Sequence, residues 1–450
     1  MADRLTENLI ATVRQMAQPM RGEPADYDSI LEQVGDAQVV LIGEASHGTH
    51  EFYQTRAEIT RRLITEKGFQ AVAVEADWPD AYRVNCYVRG ATNITNVNEA
   101  LSGFKRFPQW MWRNTVVVEF LKWLRQHNTG LPQNATKTGF YGLDLYSLFS
   151  SIQAVIQYLD KVDPEAAKKA RERYACFEHY GEDPQRYGYT VSFNVEESCQ
   201  REVLNQLVEL QKKAAQYKSG DGRMAQDEYF YAQQNARLAK NAEEYYRSMF
   251  EGRVSSWNLR DCHMADTLNA LVAHLTGQNQ GQPAKVVVWA HNSHLGNAKA
   301  TEMGTAGELN VGQVVRERYD GEMVSIGFTT YSGTVSAAYD WDEPVERRRV
   351  RPGLADSYEK LFHETGLPAF ILNLRDNETL KAHLGKPRLE RAIGVIYRPE
   401  TERFSHYFYA RLPEQFDTVI HIDETRALEP LERTPQWENA EAPETFPSSL

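Results

Sequence analysis

Seven short apolar runs, each four to six residues long, constrain this chain more than any other feature: Val39–Ile42, Ala71–Val74, Gly139–Leu143, Lys285–Trp289, Met323–Phe328, Ala369–Leu374 and Ile393–Tyr397. Most give way to polar or glycine-rich residues and then to a helical pattern. Runs of this length, β-rich and bounded by turn signals, fit buried strands. Their alternation with helices predicts an α/β fold with a largely parallel central sheet flanked by helices. Met323–Ala338 reads as strand, turn at Ser332-Gly333, strand, which adds some antiparallel pairing.

Between about Ser150 and Gly281 the strand signals nearly vanish. Asp163-Pro164-Glu165 marks a helix start, an N-cap followed by proline in the first turn. Glu196–Tyr217, Met224–Phe250 and Arg253–Leu275 then read as long helices. The expected organisation is a first half of the α/β domain over 1–150, a long helical insertion over 151–280 covering the cleft, a second half over 281–424, and a C-terminal arm or tail over 425–450. A chain of 450 residues has room for a large core,. Its net charge of −12 argues against broad nucleic-acid binding, which needs a basic face,.

MADRLTENLI lacks a basic segment followed by an apolar run, so no signal peptide is expected. No apolar stretch approaches the roughly 18 residues of a spanning helix. Cys86, Cys176, Cys199 and Cys262 are scattered without a CxxC pair and read as reduced, mostly buried thiols. A cytoplasmic monomer or homodimer follows, acting on a small molecule without nucleic acid, membrane or cofactor.

Ligands of parallel α/β sheets sit beyond the carboxyl ends of strands. Glu44 and His47 follow the first run, Glu75, Asp77 and Trp78 the second, Asp144 the third, and His291, Asn292 and His294 the fourth. Four strand ends carrying ionisable groups point to chemistry, although polar strand ends without function are common singly. In FYQTRAEITRRLI, Arg56 shares the apolar stripe of Phe52, Ile59 and Leu63, so it faces inward and needs a carboxylate such as Glu44 or Glu75. The alternative is a packed stem with a solvated head. In WNLRDCHMADTLNALVAHL, Asp261 falls on the stripe of Trp257, Met264, Leu268, Leu271 and Leu275 and Arg260 borders it. This pair either reaches the site or forms a structural ion pair.

His47 with His50, and His291 with His294, form two H-x-x-H pairs. With Glu44, Glu51 and Glu75 these leave a metal cluster open, but HGTHE is not HExxH. His127, His179, His274, His363 and His383 read as helix or surface histidines. GEASHG departs from the GxSxG nucleophile elbow, and no GxxxxGK[ST] or GxGxxG loop occurs. Arg347–Arg349 with Arg351 reads as a solvated basic run in a proline-bearing loop. FPQWMWRN, Phe107–Asn114, is aromatic enough to wall an apolar substrate, and core packing explains it almost as well.

GEASHGTHEFY, VEADWP, NLRDCHMADTL and WAHNSHLGNA, in this order and spacing, resemble the erythromycin esterase family over roughly Val39 to Leu428. GEASHGTHEFY looks more like the family's broad esterase-like branch, which includes proteins named for succinoglycan biosynthesis, than like its antibiotic-resistance enzymes. The resemblance implies a hydrolase that opens macrolactone esters without a required metal. It implies that His47 is the general base, with Glu44, Arg56, Glu75, His291 and His294 as its partners. Trp78, Asp144 and Arg260 are the expected substrate contacts. His291, His294 or Arg56 would stabilise the oxyanion, while Glu44 and Glu75 orient water or set the charge of His47 and Arg56. A metal-dependent hydrolase and a non-catalytic protein binding a small ligand or haem are the rival readings.

Overall fold

The computed structural model describes residues 2–132, 135–181, 183–193, 197–218, 222–250 and 252–439. Glu196 of the expected third-quarter helix and residues 440–450 of the expected tail lie outside the described residues. Among the described residues eleven strands occur in chain order: β1 (Gln18–Pro19), β2 (Val39–Ile42), β3 (Ala71–Asp77), β4 (Gly139–Asp144), β5 (Val286–Trp289), β6 (Met323–Ala337), β7 (Glu346–Val350), β8 (Ala369–Asn373), β9 (Arg388–Arg391), β10 (Tyr407–Ala410) and β11 (Thr418–Thr425). The main sheet runs β1-β8-β11-β6-β2-β5-β3-β4, with β7 against β6. Pairing is parallel from β11 to β4 and antiparallel where β8 meets β11, β1 meets β8 and β7 meets β6. This is the α/β architecture expected from the alternating runs.

The interior strands are buried on both faces, and successive residues feed opposite layers. Val39, Leu41, Ala71, Ala73, Val286 and Val288 pack on one face with Leu148, Ile152, Val155, Met264 and Leu268. Val40, Ile42, Val72, Val74, Val287 and Trp289 pack on the other with Phe52, Ile59, Leu63, Phe120 and Leu121. Each valine, leucine or isoleucine side chain so buried contributes roughly 1.5–3 kcal/mol.

Between β4 and β5 the described chain is helical. Helices cover Leu148–Val162, Pro164–Tyr174, Pro184–Ser192, Gln200–Lys212, Ala214–Lys218, Gly222–Ser248 and Arg253–Gln278. Asp163 caps the second of these by accepting the Ala166 N–H at 3.1 Å, the local chemistry that its position before Pro164 predicts,.

Five expectations need correction. The turn at Ser332-Gly333 is absent: β6 is one strand of 15 residues, and its antiparallel partner is β7. Glycine is needed at Gly333 because φ is +136° and a Cβ would lie 1.8 Å from the Thr425 carbonyl oxygen of neighbouring β11. Ile393–Tyr397 is no strand; only the bridges Ser46↔Ile393 and Ala338↔Ile396 mark its path. Arg347–Arg349 is not a solvated loop but part of β7, with Arg348 buried. The strand β11 was not foreseen, because His421, Asp423 and Glu424 interrupt its apolar pattern. The thiols are not all reduced: Cys176 and Cys199 form a disulfide, their Cα atoms brought within 6.0 Å by the folding of the helical region, and Cys262 is exposed.

Past β11, residues 426–439 pack back onto the protein: Ala427 and Trp437 join Trp110, Ala338 and Val345 in a small apolar cluster. No helix among the described residues is long and apolar enough to cross a membrane.

Candidate active site

The four strands that end in ionisable groups, β2, β5, β3 and β4, are consecutive neighbours in the sheet. Their carboxyl ends open into a cleft of about 790 Å³. After β2 the chain turns through Gly43–Thr49 into the helix His50–Lys67. This turn passes so close to β6 that a Cβ on Gly48 would lie 1.8 Å from the Ser336 carbonyl oxygen, so only glycine fits there,.

His47 presents its ring to the cleft. Its Nδ1 is 2.9 Å from Glu44 Oε1, and the other oxygen of Glu44 is 2.9 Å from Arg56 Nη2. Arg56 is fully buried, with its guanidinium carbon 4.2 Å from the Tyr53 ring centre and 5.2 Å from that of Trp289. The inward-facing arginine thus has the carboxylate its burial demands. Glu44 and Arg56 lie behind His47, outside the cleft lining, so Arg56 does not reach a substrate oxyanion.

Glu75, inside β3, is the hub. Its Oε1 is 2.8 Å from Arg260 Nη2, 3.3 Å from His294 Nε2 and 3.9 Å from His47 Nε2, and its Oε2 accepts the His291 N–H at 2.9 Å. Burial pushes the Glu75 carboxyl up, but the His294, His47 and Arg260 charges outweigh it and hold the group well below the usual carboxylate range,. Arg260 forms a two-pronged pair with Asp144, Nε to Oδ1 at 2.9 Å and Nη2 to Oδ2 at 2.6 Å,. Asp144 is lowered in turn: Arg260 overcomes the effect of burial.

His294 is gripped by the helix Arg253–Gln278. Its Nδ1 is 2.9 Å from both oxygens of Asp261, its Nε2 is 3.0 Å from Arg260 Nη1, and the Trp257 ring stacks on it at 4.5 Å and 8°. Burial alone would lower this imidazole; Asp261 and Glu75 override it and lift it to about 9. His291 is its opposite, pushed down to about 3 by burial and by the charges of His47 and His294. Its Nε2 reaches the Ile393 carbonyl oxygen at 3.2 Å, and its Nδ1 accepts the Ser293 N–H at 3.2 Å. Both nitrogens are engaged, which removes His291 from the expected oxyanion donors.

The structure thus brings His47, Glu75, Asp144, Arg260, His291 and His294 to one cleft, with Glu44 and Arg56 in support. Trp78 is the exception. It is 2% exposed, its Nε1 donates to the Tyr231 carbonyl at 3.4 Å, and it packs with Tyr141 and Phe230. It lies beneath the helical region rather than against a substrate, because the helix it opens turns its ring away from the cleft. His50 also departs, lying against Arg426 at the surface. Among the described residues no three His, Cys, Asp or Glu side chains are arranged to hold a metal ion. The Arg260 guanidinium lies against both Glu75 and His294, 2.8 Å from Glu75 Oε1 and 3.0 Å from His294 Nε2.

Two residues escaped sequence reasoning. Asp80 and Arg106 line the cleft beside Asp77, with Arg106 Nη2 3.4 Å from Asp77 Oδ2. Burial and the neighbouring Asp77 push Asp80 up to about 7. The spacing of Asp77 and Asp80 across the first helical turn was the available signal. Of the expected aromatic wall, Phe107, Pro108, Met111 and Trp112 line the cleft, while Trp110 is core.

Buried histidines give a stability prediction. His291 and His263, both buried, are held near 3 by loss of hydration, against about 6.5 in the unfolded chain. A depressed folded value means that stability is complete above 6.5 and is lost as pH falls toward 3. Two such groups set a slope of about 3 kcal/mol per pH unit in that window. Urea unfolding from pH 7 to 4 checks this; a flat profile would contradict it.

A family model, erythromycin esterase, matches residues 64–425. The chain is 24% identical over 423 residues to an erythromycin esterase type II of Escherichia coli, covering 90% of this chain and 93% of that one. It is 22% identical over 430 residues to a putative hydrolase of Bacillus subtilis, covering 91% and 90%. A crystal structure of a Bacillus cereus protein superposes with a TM-score of 0.78 at 20% identity, covering 95% of this chain and 99% of that one. The family match spans most of the chain and contains the strand ends that build the cleft from β3 onward, so this chain belongs to the erythromycin esterase family.

Proposed function

We propose that the protein hydrolyses an ester or lactone by direct attack of water, with His47 as general base. The arrangement that carries this reading is the His47 ring, held at Nδ1 by Glu44 and presenting Nε2 to the cleft 3.9 Å from Glu75. That gap is too long for a direct hydrogen bond and suits a water held by both groups. His47 takes a proton from this water, and the hydroxide adds to the carbonyl carbon. Glu44, itself in contact with Arg56, accepts the Nδ1–H, so that it holds the tautomer with its lone pair on Nε2 and steadies the imidazolium as it forms.

Positioned base catalysis supplies about 10²–10⁴-fold, and an oxyanion donor about 2.7–4 kcal/mol more. Arg260 is that donor: its Nε–H and both Nη2 N–H groups engage Asp144 and Glu75, leaving those on Nη1 for the developing charge,. The cleft volume and its mixed aromatic and charged walls fit a bulky, partly apolar substrate. A macrolactone is the first such compound to try, given the activity in the names of the family and of its Escherichia coli member.

The test is a panel of alkyl esters, aryl esters and macrolactones incubated with the protein in ¹⁸O-water and followed by mass spectrometry. The expected product gains one water with the label in its carboxyl group, and chelator leaves the rate unchanged. Tight binding without mass gain across the panel would replace hydrolysis by ligand binding, and a rate abolished by chelator and restored by a divalent metal would replace His47 by a metal-bound hydroxide.

A further inference from the structure

Ester cleavage has a second proton to place. Once hydroxide has added, the departing alkoxide must be protonated, and His47 already holds the proton taken from water. We propose that His294 is the general acid that supplies it, that Asp261 and Trp257 on the helix Arg253–Gln278 are its positioning residues, and that Glu75 returns the proton from His47 to His294. This rests on the hydrolytic reading above and assigns what that reading leaves open.

The geometry is a pair of imidazoles built alike. Each has Nδ1 on a buried carboxylate, His47 on Glu44 and His294 on Asp261, and each points Nε2 at the same oxygen, Glu75 Oε1, at 3.9 and 3.3 Å. What separates them is the wall behind. The His47 carboxylate is shared with the Arg56 cation, whereas Asp261 is fully buried and among the described residues takes, besides His294, the Val311 N–H at 3.0 Å. The Glu44 charge is thus largely spent on Arg56, and that of Asp261 is spent on His294. One ring is set to accept a proton and the other to hold one.

Trp257 and Asp261 stand one helical turn apart, so a single helix face covers the His294 ring and fixes its Nδ1. Trp257 is itself anchored, its Nε1 donating to the Leu309 carbonyl at 2.9 Å. The charged and titratable groups around His294 are Asp261 and Arg260 from this helix, Glu75 from β3, Asp144 from β4 behind Arg260, His291 from the N-cap of the short turn that carries His294, and His47 from the turn after β2. The carboxylates dominate, as the raised His294 value shows.

The balance is as follows. The tetrahedral adduct carries O⁻, OH and OR′ on one carbon. Its C=O re-forms as the C–OR′ bond breaks, and the leaving oxygen takes the Nε2 proton of His294, giving a carboxylic acid and an alcohol. The neutral Nε2 then accepts the Arg260 Nη1–H, 3.0 Å away. A fresh water entering the 3.9 Å gap carries the proton from His47 Nε2 to Glu75 Oε1, which passes it to His294 Nε2, and both rings are reset,. The net change is ester plus water to acid plus alcohol.

The experiment compares wild type with Asp261→Asn on two esters of one acid, an alkyl ester and its p-nitrophenyl ester, across pH 5–10. The alkyl ester needs its leaving group protonated and the nitrophenolate does not. The variant is expected to lose about 10²–10³-fold in kcat on the alkyl ester and less than about tenfold on the aryl ester. The wild type is expected to show an alkaline limb near 9, and that limb should move toward neutral pH in the variant. Asp261→Glu should recover part of the alkyl rate, and Trp257→Phe should show the same split more weakly. Equal losses on both esters with an unmoved limb would make Asp261 merely structural and overturn the proposal.

Titration of ¹⁵N-labelled histidine by NMR gives a substrate-free arm. If no ester is turned over at all, the hydrolytic reading fails with the acid role that depends on it, whereas His294 titrating near 6.5 in both proteins would overturn this inference alone.

Discussion

Arg56→Leu is expected to destabilise the protein by about 3–5 kcal/mol, the cost of stranding a buried carboxylate. Arg56 and Glu44 are both essentially unexposed, and their 2.9 Å contact lies beneath Tyr53 and Trp289 in the packed face of the sheet. Leucine keeps the apolar stem but leaves the Glu44 charge without its cation. The carboxyl must then take up a proton or drive local opening, and His47 loses its anionic partner either way. Urea unfolding measures the first effect and ester turnover the second. The double variant Glu44→Gln/Arg56→Leu removes both charges and should regain part of the stability while turnover stays low. That non-additivity is the signature of a buried pair. A single-variant loss under about 1 kcal/mol would mean that water reaches Glu44 and that the pair is not what holds His47.

His47→Ala should cost still more in activity and little in stability. Removing the base forfeits about 10²–10⁴-fold, and the hole left in the cleft wall frees Glu44 and Glu75 to rearrange. His47 lines the cleft rather than the sheet core, so circular dichroism and the unfolding midpoint should stay close to wild type. Added imidazole, small enough to enter the space, should return part of the rate. A folded His47→Ala protein that turns over ester at the wild-type rate would move the base elsewhere, with Glu75 the next group to test.

Local pattern made much of this legible. A β-branched run that stops at Gly43-Glu44 or at His291 announces a strand end, because a buried strand cannot carry a carboxylate or imidazole without a purpose or a partner. Arg56 and Asp261 announced themselves by falling on apolar helix faces, where an unpaired charge is too costly to keep. Trp78 misled for the same local reason: adjacency to Asp77 says nothing about which way the ring turns once a helix begins. The run of arginines before Val350 misled because a strand at the sheet margin tolerates charges that a central strand does not.

The sequence by itself determined the class of fold, the strand ends that carry ionisable groups and the two helix faces that hold buried charge, since periodicity and burial cost act within a few residues of each position. Only the tertiary structure decided who meets whom. β5 enters the sheet between β2 and β3 from far along the chain, and that single insertion carries His291 and His294 to Glu75. The pairing of Arg260 with Asp144, the clasp of Asp261 on His294 and the Cys176–Cys199 bridge likewise join distant segments. Such pairings follow from strand order and from the packing of whole layers, which no local spacing encodes.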